Sequence, residues 1–370
     1  MTRITLKPRA ILIDVIPPTM RKAEADRRIL ELESLVGTYG GIVIVKLIQK
    51  KSLPDYRTYI GSGKLDEIAE IARTEKAEVV IINNLLKPGQ MFNVEEILRH
   101  AQLKVQVWDR VDLILKIFTK HAKTSEAKLQ IKLAAIRHMG PRIFGMGMEM
   151  MQQAGGIGGR GGQGESNTEM MKRHLFQQEQ HTKKELEHVA VSRAGHRARR
   201  DRMGLKTVSI VGYTNAGKSS LLNALTRKGA YVADALFATL DTRVGKLWTG
   251  ERELLLSDTI GFIQDLPPQL VDAFRSTLDE TVDADLLLHV IDVSDPYVHE
   301  KIAEVEGVLA QLKVEHIPKL YVFNKTDKLN RIPKATLIKK YKAFSPSFVS
   351  AHSGAGLDEL KAILISRTKA

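Results

Sequence analysis

Cysteine is absent from the 370 residues. That excludes a disulfide framework and any cysteine-ligated zinc or iron–sulfur centre, and it is compatible with a reducing compartment. Long apolar runs are missing too. No stretch approaches the roughly 20 apolar residues of a membrane span, and the N-terminus, Met-Thr-Arg-Ile-Thr-Leu-Lys-Pro, has no signal-like pattern. A soluble, cytoplasmic chain with no integral membrane segment is expected. Its length allows two or three domains and a sizeable core.

The C-terminal part also lacks any excess of charge. Residues 207–370 hold 20 Lys+Arg against 20 Asp+Glu, whereas residues 1–206 hold 36 against 23. The whole net charge of +13 therefore sits in the first half. A basic half joined to a neutral one fits attraction to a polyanion, RNA above all, although a solvated basic surface gives the same count.

Residues 1–123 alternate apolar runs with helical patterns. Ala10–Ile16, Ile42–Leu47, Val79–Asn83 and Val105–Trp108 read as strands. Arg21–Val36, with Leu30, Leu32 and Leu35 among its apolar residues, reads as a helix, as do Leu65–Ala72 and Val94–Ala101. This alternation predicts a small parallel α/β domain. Residues 124–206 predict an antiparallel helical arm. A helix over 125–140 carries Leu129, Leu133 and Ile136 on one stripe and ends at Gly140-Pro141. After Met146, Met148, Met150 and Met151 comes a glycine-rich tip loop, 152–166. A polar, basic helix then runs from Asn167 to about Arg202, and Lys172–Lys206 holds ten Lys+Arg against four acids. The arm is either an ordinary hairpin packed on a neighbouring domain or a probe reaching into a polyanionic cavity; its polar composition favours the probe. Residues 207–370 return to α/β, with strands at Val208–Val211, Leu254–Ser257, Leu286–Val293, Lys319–Phe323 and Phe348–Val349.

Chemistry concentrates in this last part. Gly212-Tyr213-Thr214-Asn215-Ala216-Gly217-Lys218-Ser219 lies between a strand and the helix opening at Ser219 and Ser220. Its glycines permit a tight turn whose N–H groups, with the helix N-terminus, can cradle a phosphate. Lys218 is expected on the β- and γ-phosphates and Ser219 on Mg²⁺. Downstream, Asp258-Thr259-Ile260-Gly261 places a carboxylate for Mg²⁺ at a strand end and the Gly261 N–H for the γ-phosphate. In Asn324-Lys325-Thr326-Asp327, the Asp327 carboxylate can accept from guanine N1–H and the exocyclic amine, which adenine cannot match. Asn324 is expected to support the pocket, the stem of Lys325 to cover the base, and Ser350-Ala351 to offer a backbone N–H to guanine O6. Each motif alone has a bland reading as a turn or cap; four in this order make a P-loop GTPase domain. Thr239, with Thr242 as the alternative, is the candidate for switch I, contacting the γ-phosphate and Mg²⁺. Phe262 stands where Ras-like enzymes carry the glutamine that positions water. Slow intrinsic hydrolysis is therefore expected, with help supplied from elsewhere. No other catalytic constellation is evident: the histidines are scattered, and His289 in an apolar strand reads as a core residue.

With these motifs on the page, the chain resembles the HflX family of translational GTPases along nearly its whole length. Val211–Ser219, Leu236–Asp241, Asp258–Ile263 with Leu266-Pro267, Leu270-Val271, Ala273-Phe274 and Ser276–Leu278 are similar to that family's GTPase signatures. Tyr59–Lys64, Asp109-Arg110 with Leu113-Ile114, and Lys128–Gln130 resemble its N-terminal domain, and Gly155–Gly158 with Arg160-Gly161 its arm tip. The resemblance implies a partner in the large ribosomal subunit and its rRNA, with the arm entering near the peptidyl-transferase centre and the GTP-bound protein splitting stalled or idle ribosomes. It also implies ATP binding in the N-terminal domain. Gly61–Lys64 is the candidate there, although a glycine turn opening a helix explains it equally. Three departures are visible. The tip runs Gly161-Gly162-Gln163-Gly164-Glu165 without the usual proline, Asp241 is followed by Thr242 rather than proline, and the C-terminal extension of many members is missing. A monomer is expected. A role in large-subunit assembly, or in RNA binding or remodelling with GTP as a switch, remains an alternative.

Overall fold

The computed structural model describes residues 7–138, 167–226, 236–237, 243–248, 250, 253–264, 270, 281–330 and 332–368. Thr239, Thr242, the Gly155–Gly164 tip with the methionines before it, Leu266-Pro267 and residues 271–278 lie outside them. Contacts divide the chain into two compact units, Met1–Lys120 with Ile131–Glu185, and His121–Gln130 with Leu186–Ala370. No helix among the described residues is long and apolar enough to cross a membrane.

The first unit is built on four parallel strands, β1 (Arg9–Ile16), β2 (Ile42–Lys50), β3 (Val79–Ile82) and β4 (Gln106–Asp109), in the order β2-β1-β3-β4. Apart from Asp14, β1 and β3 are apolar on both faces over Ala10–Ile16 and Val79–Ile82, and both are buried throughout, as strands covered on both sides must be. Helices α1 (Lys22–Tyr39), α2 (Ser62–Thr74), α3 (Pro88–His100) and α4 (Arg110–His121) alternate with them. The inward stripe of α1 is Ala25, Ile29, Leu32, Leu35 and Val36. Leu30, expected on that stripe, is 52% exposed, because a turn of 3.6 residues brings Ile29 and not Leu30 under Leu32. Asp109 and Asp112 cap α4 reciprocally: the Asp109 N–H donates to Asp112 Oδ2 at 3.1 Å and the Asp112 N–H to Asp109 Oδ1 at 2.8 Å. His138 Nε2 lies 3.2 Å from Asp109 Oδ1 and 3.3 Å from Asp112 Oδ1. Burial alone would lower its pKa, but the hydrogen bonds and charges of the two carboxylates outweigh burial and raise it to about 9.

A helix over 125–138 (α5) and the 36-residue α6 (Asn167–Arg202) follow. Arg137 pairs with Glu179 at 3.0 Å and Arg193 with Glu126 at 3.2 Å, so higher numbers in one helix meet lower numbers in the other. The two helices run antiparallel.

The second unit carries a six-stranded sheet, β5 (Lys206–Gly212), β6 (Arg243–Trp248), β7 (Glu253–Asp258), β8 (Leu286–Asp292), β9 (Lys319–Asn324) and β10 (Ser347–Phe348), in the order β10-β9-β8-β5-β7-β6. Every pairing is parallel except β6 with β7. Val208, Ile210, Leu254, Leu256, Leu288, Val290, Leu320 and Val322 bury against Leu221, Leu222 and Leu225 of α7 (Lys218–Thr226). β5 is central, and α7 starts directly after its turn. The sequence reading named neither β6 nor the helices Val298–Gln311 and Lys334–Lys340. His289 is buried in β8, its Nδ1 3.2 Å from Glu306 Oε1 and its ring edge-on to Tyr321.

Candidate nucleotide site

Between β5 and α7 the chain turns through Asn215 at φ 62° and Gly217 at φ 92°. A β-carbon on Gly217 would come 2.3 Å from Asn324 Nδ2, so only glycine fits this turn. Asn324 closes the contact from the end of β9. Its Nδ2 donates to Ala216 O at 3.0 Å, and its Oδ1 accepts the Ala351 N–H at 3.0 Å. One carboxamide thus clamps the phosphate loop to the loop after β10. Lys325 adds a second tie. Its Nζ donates to Asn215 O at 2.6 Å and pairs with Asp292 Oδ2 at 2.7 Å.

Lys218 is buried, and its Nζ donates to Gly212 O at 3.2 Å and Tyr213 O at 2.8 Å. Burial pushes its pKa down to about 8; the Asp258 charge opposes this and Lys325 adds to it. An ammonium held mainly by carbonyls in a poorly solvated pocket gains strongly from an arriving anion. Ser219 Oγ donates to Asp258 Oδ2 at 2.5 Å, bringing a hydroxyl and a carboxylate from separate motifs together. Gly261 lies against both loop and lysine: a β-carbon there would be 2.7 Å from Lys218 Nζ and 2.9 Å from Thr214 Cα. Thr214 Oγ1 is buried without a hydrogen-bond partner among the described residues. Ser220 is part-buried one position along α7.

Phe262 does not face this cradle. Its ring is buried with Val211, Tyr213, Ala284 and Leu287. Its backbone fastens the two loops, with the Thr214 N–H donating to Phe262 O at 2.7 Å and the Phe262 N–H to Gly212 O at 3.1 Å. The Tyr213 hydroxyl accepts the Gln264 N–H at 2.7 Å.

At the far end, Asp327 is exposed and takes a hydrogen bond from Ser350 Oγ at 2.5 Å. That bond is the main reason its pKa lies below the usual carboxylate value. Ser350 thus meets Asp327 through its hydroxyl, beside the backbone N–H that the sequence reading had in view. The Ala351 N–H, one of the two that Ser350-Ala351 could offer a base, donates to Asn324 Oδ1. The roles of Asp292 and of the Ser350 hydroxyl escaped sequence reading because both are tertiary contacts. Gly61 of the N-terminal unit opens α2 with its N–H donated to Gln49 Oε1 at 3.0 Å, and Lys64 is paired with Glu67 at 2.5 Å.

The buried lysine, the glycine-only approaches, the orphaned Thr214 hydroxyl and the Asp327 carboxylate fit a guanine nucleotide, phosphates at α7 and base at β9–β10. Comparison with known proteins agrees. Residues 207–325 match the family described as "50S ribosome-binding GTPase", residues 26–119 "GTP-binding GTPase N-terminal" and residues 121–200 "GTP-binding GTPase Middle Region". GTPase HflX of Caldanaerobacter subterraneus subsp. tengcongensis is 42% identical over 96% of this chain and 79% of its own length. GTPase HflX of Escherichia coli K12 is 39% identical over 91% and 78%. The crystal structure of a GTP-binding protein from Sulfolobus solfataricus in complex with GDP superposes with a TM-score of 0.51 at 26% identity, covering 98% of each chain. The chain belongs to the HflX family of GTPases, and as such binds guanine nucleotides and hydrolyses GTP.

Proposed function

We propose that this GTPase acts on the ribosome: in its GTP form it binds the large subunit and its rRNA and dissociates or rescues stalled or idle ribosomes. The observation that carries the reading is the coincidence of a family match described as 50S ribosome-binding with a basic excess confined to residues 1–206. Three domains share the work: residues 1–123, an arm of residues 124–206 with its tip at 152–166, and a GTPase domain of residues 207–370. The protein acts as a cytoplasmic monomer.

Within the site, the loop N–H groups of Tyr213 to Ser220 and the Lys218 ammonium hold the phosphates. Asp327, supported by Ser350, Ala351, Asn324 and Lys325, selects guanine. Ser219 and Asp258 form the place for Mg²⁺, with Thr239 joining them in switch I. When bound there, Mg²⁺ would supply neutralisation of the phosphate charge. Thr239 and the Gly261 N–H sense the γ-phosphate. Phe262, at the position after Gly261, is committed to the core and does not orient the attacking water. Intrinsic hydrolysis is then slow, and the ribosome supplies the missing group. ATP at Gly61–Lys64 is not part of this proposal, because the Gly61 amide and the Lys64 ammonium already have partners. Steady-state GTP hydrolysis with and without purified large subunits tests the reading. Stimulation by about 10³-fold, the scale of a group supplied in trans, is expected. An unchanged rate would remove the ribosome from the mechanism.

A further inference from the structure

The C-terminal edge of the N-terminal sheet holds a well-braced loop, anchored in the core by Ile60, that also presents bare side chains. Residues 51–61 follow β2. Asp55 organises them: its Oδ1 accepts from the Arg57 N–H at 2.9 Å, the Thr58 N–H at 3.1 Å and Thr58 Oγ1 at 3.0 Å. The first two of these bonds are the main reason its pKa is lowered. Asp55 and Tyr59 exchange backbone hydrogen bonds at 3.0 and 2.9 Å, closing the turn. From α3, Gln90 Nε2 donates to Asp55 O and Tyr56 O, each at 3.2 Å, and Asn93 Nδ2 donates to Arg57 O at 2.8 Å.

What this scaffold presents is apolar and bare. Tyr56 is 88% exposed and Leu53 80%. Around them the chain places cations. Lys50 ends β2, Arg57 follows Tyr56, Arg21 and Lys22 come just after β1, and Lys87 precedes α3; all five are exposed and none has an ion pair among the described residues. Because β1, β2 and β3 are parallel, these positions all follow C-terminal strand ends and share one edge. The one acid of the loop, Asp55, is occupied by three donors and by Lys51 at 3.8 Å.

We propose that this edge is a contact for single-stranded RNA, with Tyr56 as a platform on which an unpaired base stacks and Arg57, Lys50 and Lys87 meeting its phosphates. A tyrosine on fixed backbone loses little entropy when a base covers it, and stacking on an aromatic tolerates any base. Unpaired cations ringing a bare tyrosine match the phosphates and the unpaired base of one single strand together, whereas an acidic protein surface would engage the cations alone. The proposal rests on the ribosomal reading and names where the first unit touches rRNA.

The test uses full-length Tyr56→Ala, Tyr56→Phe and Arg57→Gln with large ribosomal subunits and a non-hydrolysable GTP analogue. Tyr56→Ala is expected to weaken binding about tenfold or more. Tyr56→Phe should hold wild-type affinity. Arg57→Gln should lower the salt slope by about one. Basal GTP hydrolysis should be unchanged in all three. A photo-crosslinker placed at position 56 should capture an unpaired rRNA nucleotide. Equal binding by wild type and Tyr56→Ala, or capture of a ribosomal protein instead, overturns the inference while leaving the ribosomal reading intact. If the wild type does not bind subunits, that reading fails. The loop is then judged on a labelled single-stranded homopolymer RNA: loss of affinity in Tyr56→Ala supports it, and equality overturns it.

Discussion

The two sheets have similar architecture and opposite chemistry in the side chains buried at their strand-order switch points. In the N-terminal sheet the strand order reverses between β1 and β3, the place where open α/β sheets bind ligands. There the buried charges are paired with one another. Asp14 Oδ2 accepts from Arg28 Nε and from Asn83 Nδ2, both at 2.9 Å; Asn83 Oδ1 accepts from Arg110 at 2.8 Å, and Arg110 pairs with Glu31. In the GTPase sheet a buried lysine is held chiefly by carbonyls and a threonine hydroxyl is left without a partner among the described residues. A closed network spends its charge on internal cohesion, whereas an open one keeps its charge for an incoming anion. The comparison separates a structural switch point from a nucleotide-binding one within one chain; the RNA contact proposed above lies outside the first, on the loop 51–61 beyond it.

The contrast can be broken in stages. Asp327→Asn exchanges the acceptor that reads guanine for an amide, and should shift preference from GTP towards xanthosine triphosphate by as much as 10⁴-fold. Competitive nucleotide binding checks this; unchanged specificity would sink the base assignment. At the closed edge, Asp14→Ala removes a carboxylate that takes three hydrogen bonds. It should cost about 3–5 kcal/mol of stability and leave GTP affinity alone. Denaturant unfolding alongside nucleotide titration reads both. Gly217→Ala forces a side chain into strained backbone against Asn324, a strain of roughly 2–3 kcal/mol. GTP affinity should drop about a hundredfold with little change in the unfolding of the N-terminal unit.

The smallest expected effect is the pH dependence of His138. Its folded pKa, about 9, stands above the unfolded value of about 6.5. The stability it adds is fully present below the unfolded value and is lost as pH rises through 9. The difference in unfolding free energy between wild type and His138→Asn, on the order of 2 kcal/mol, should be greatest at pH 6 and shrink towards pH 10. A pH-independent difference would mean the imidazolium is not what Asp109 and Asp112 hold.

Much of the binding edge was legible in the sequence because its parts are local. A phosphate loop declares itself in eight consecutive residues, and its flanking strand and helix follow from apolar periodicity. The closed edge left no such trace. Asp14 meets Asn83 across 69 positions, and Arg110 meets Glu31 across 79. The clamp of Asn324 on Ala216 spans 108. The helix Val298–Gln311 carried a readable stripe in Ile302, Val305, Val308 and Leu309. β6 was harder, with Gly245 and Leu247 alone facing inward on a six-residue edge strand.

The central claim is tested most directly by sedimenting intact ribosomes after adding the protein with GTP, a non-hydrolysable GTP analogue or GDP. The account predicts conversion to free subunits with GTP and with the analogue, but not with GDP, which places hydrolysis after splitting. Binding to free large subunits that leaves ribosomes whole in every nucleotide state would contradict the splitting role and favour one in subunit assembly.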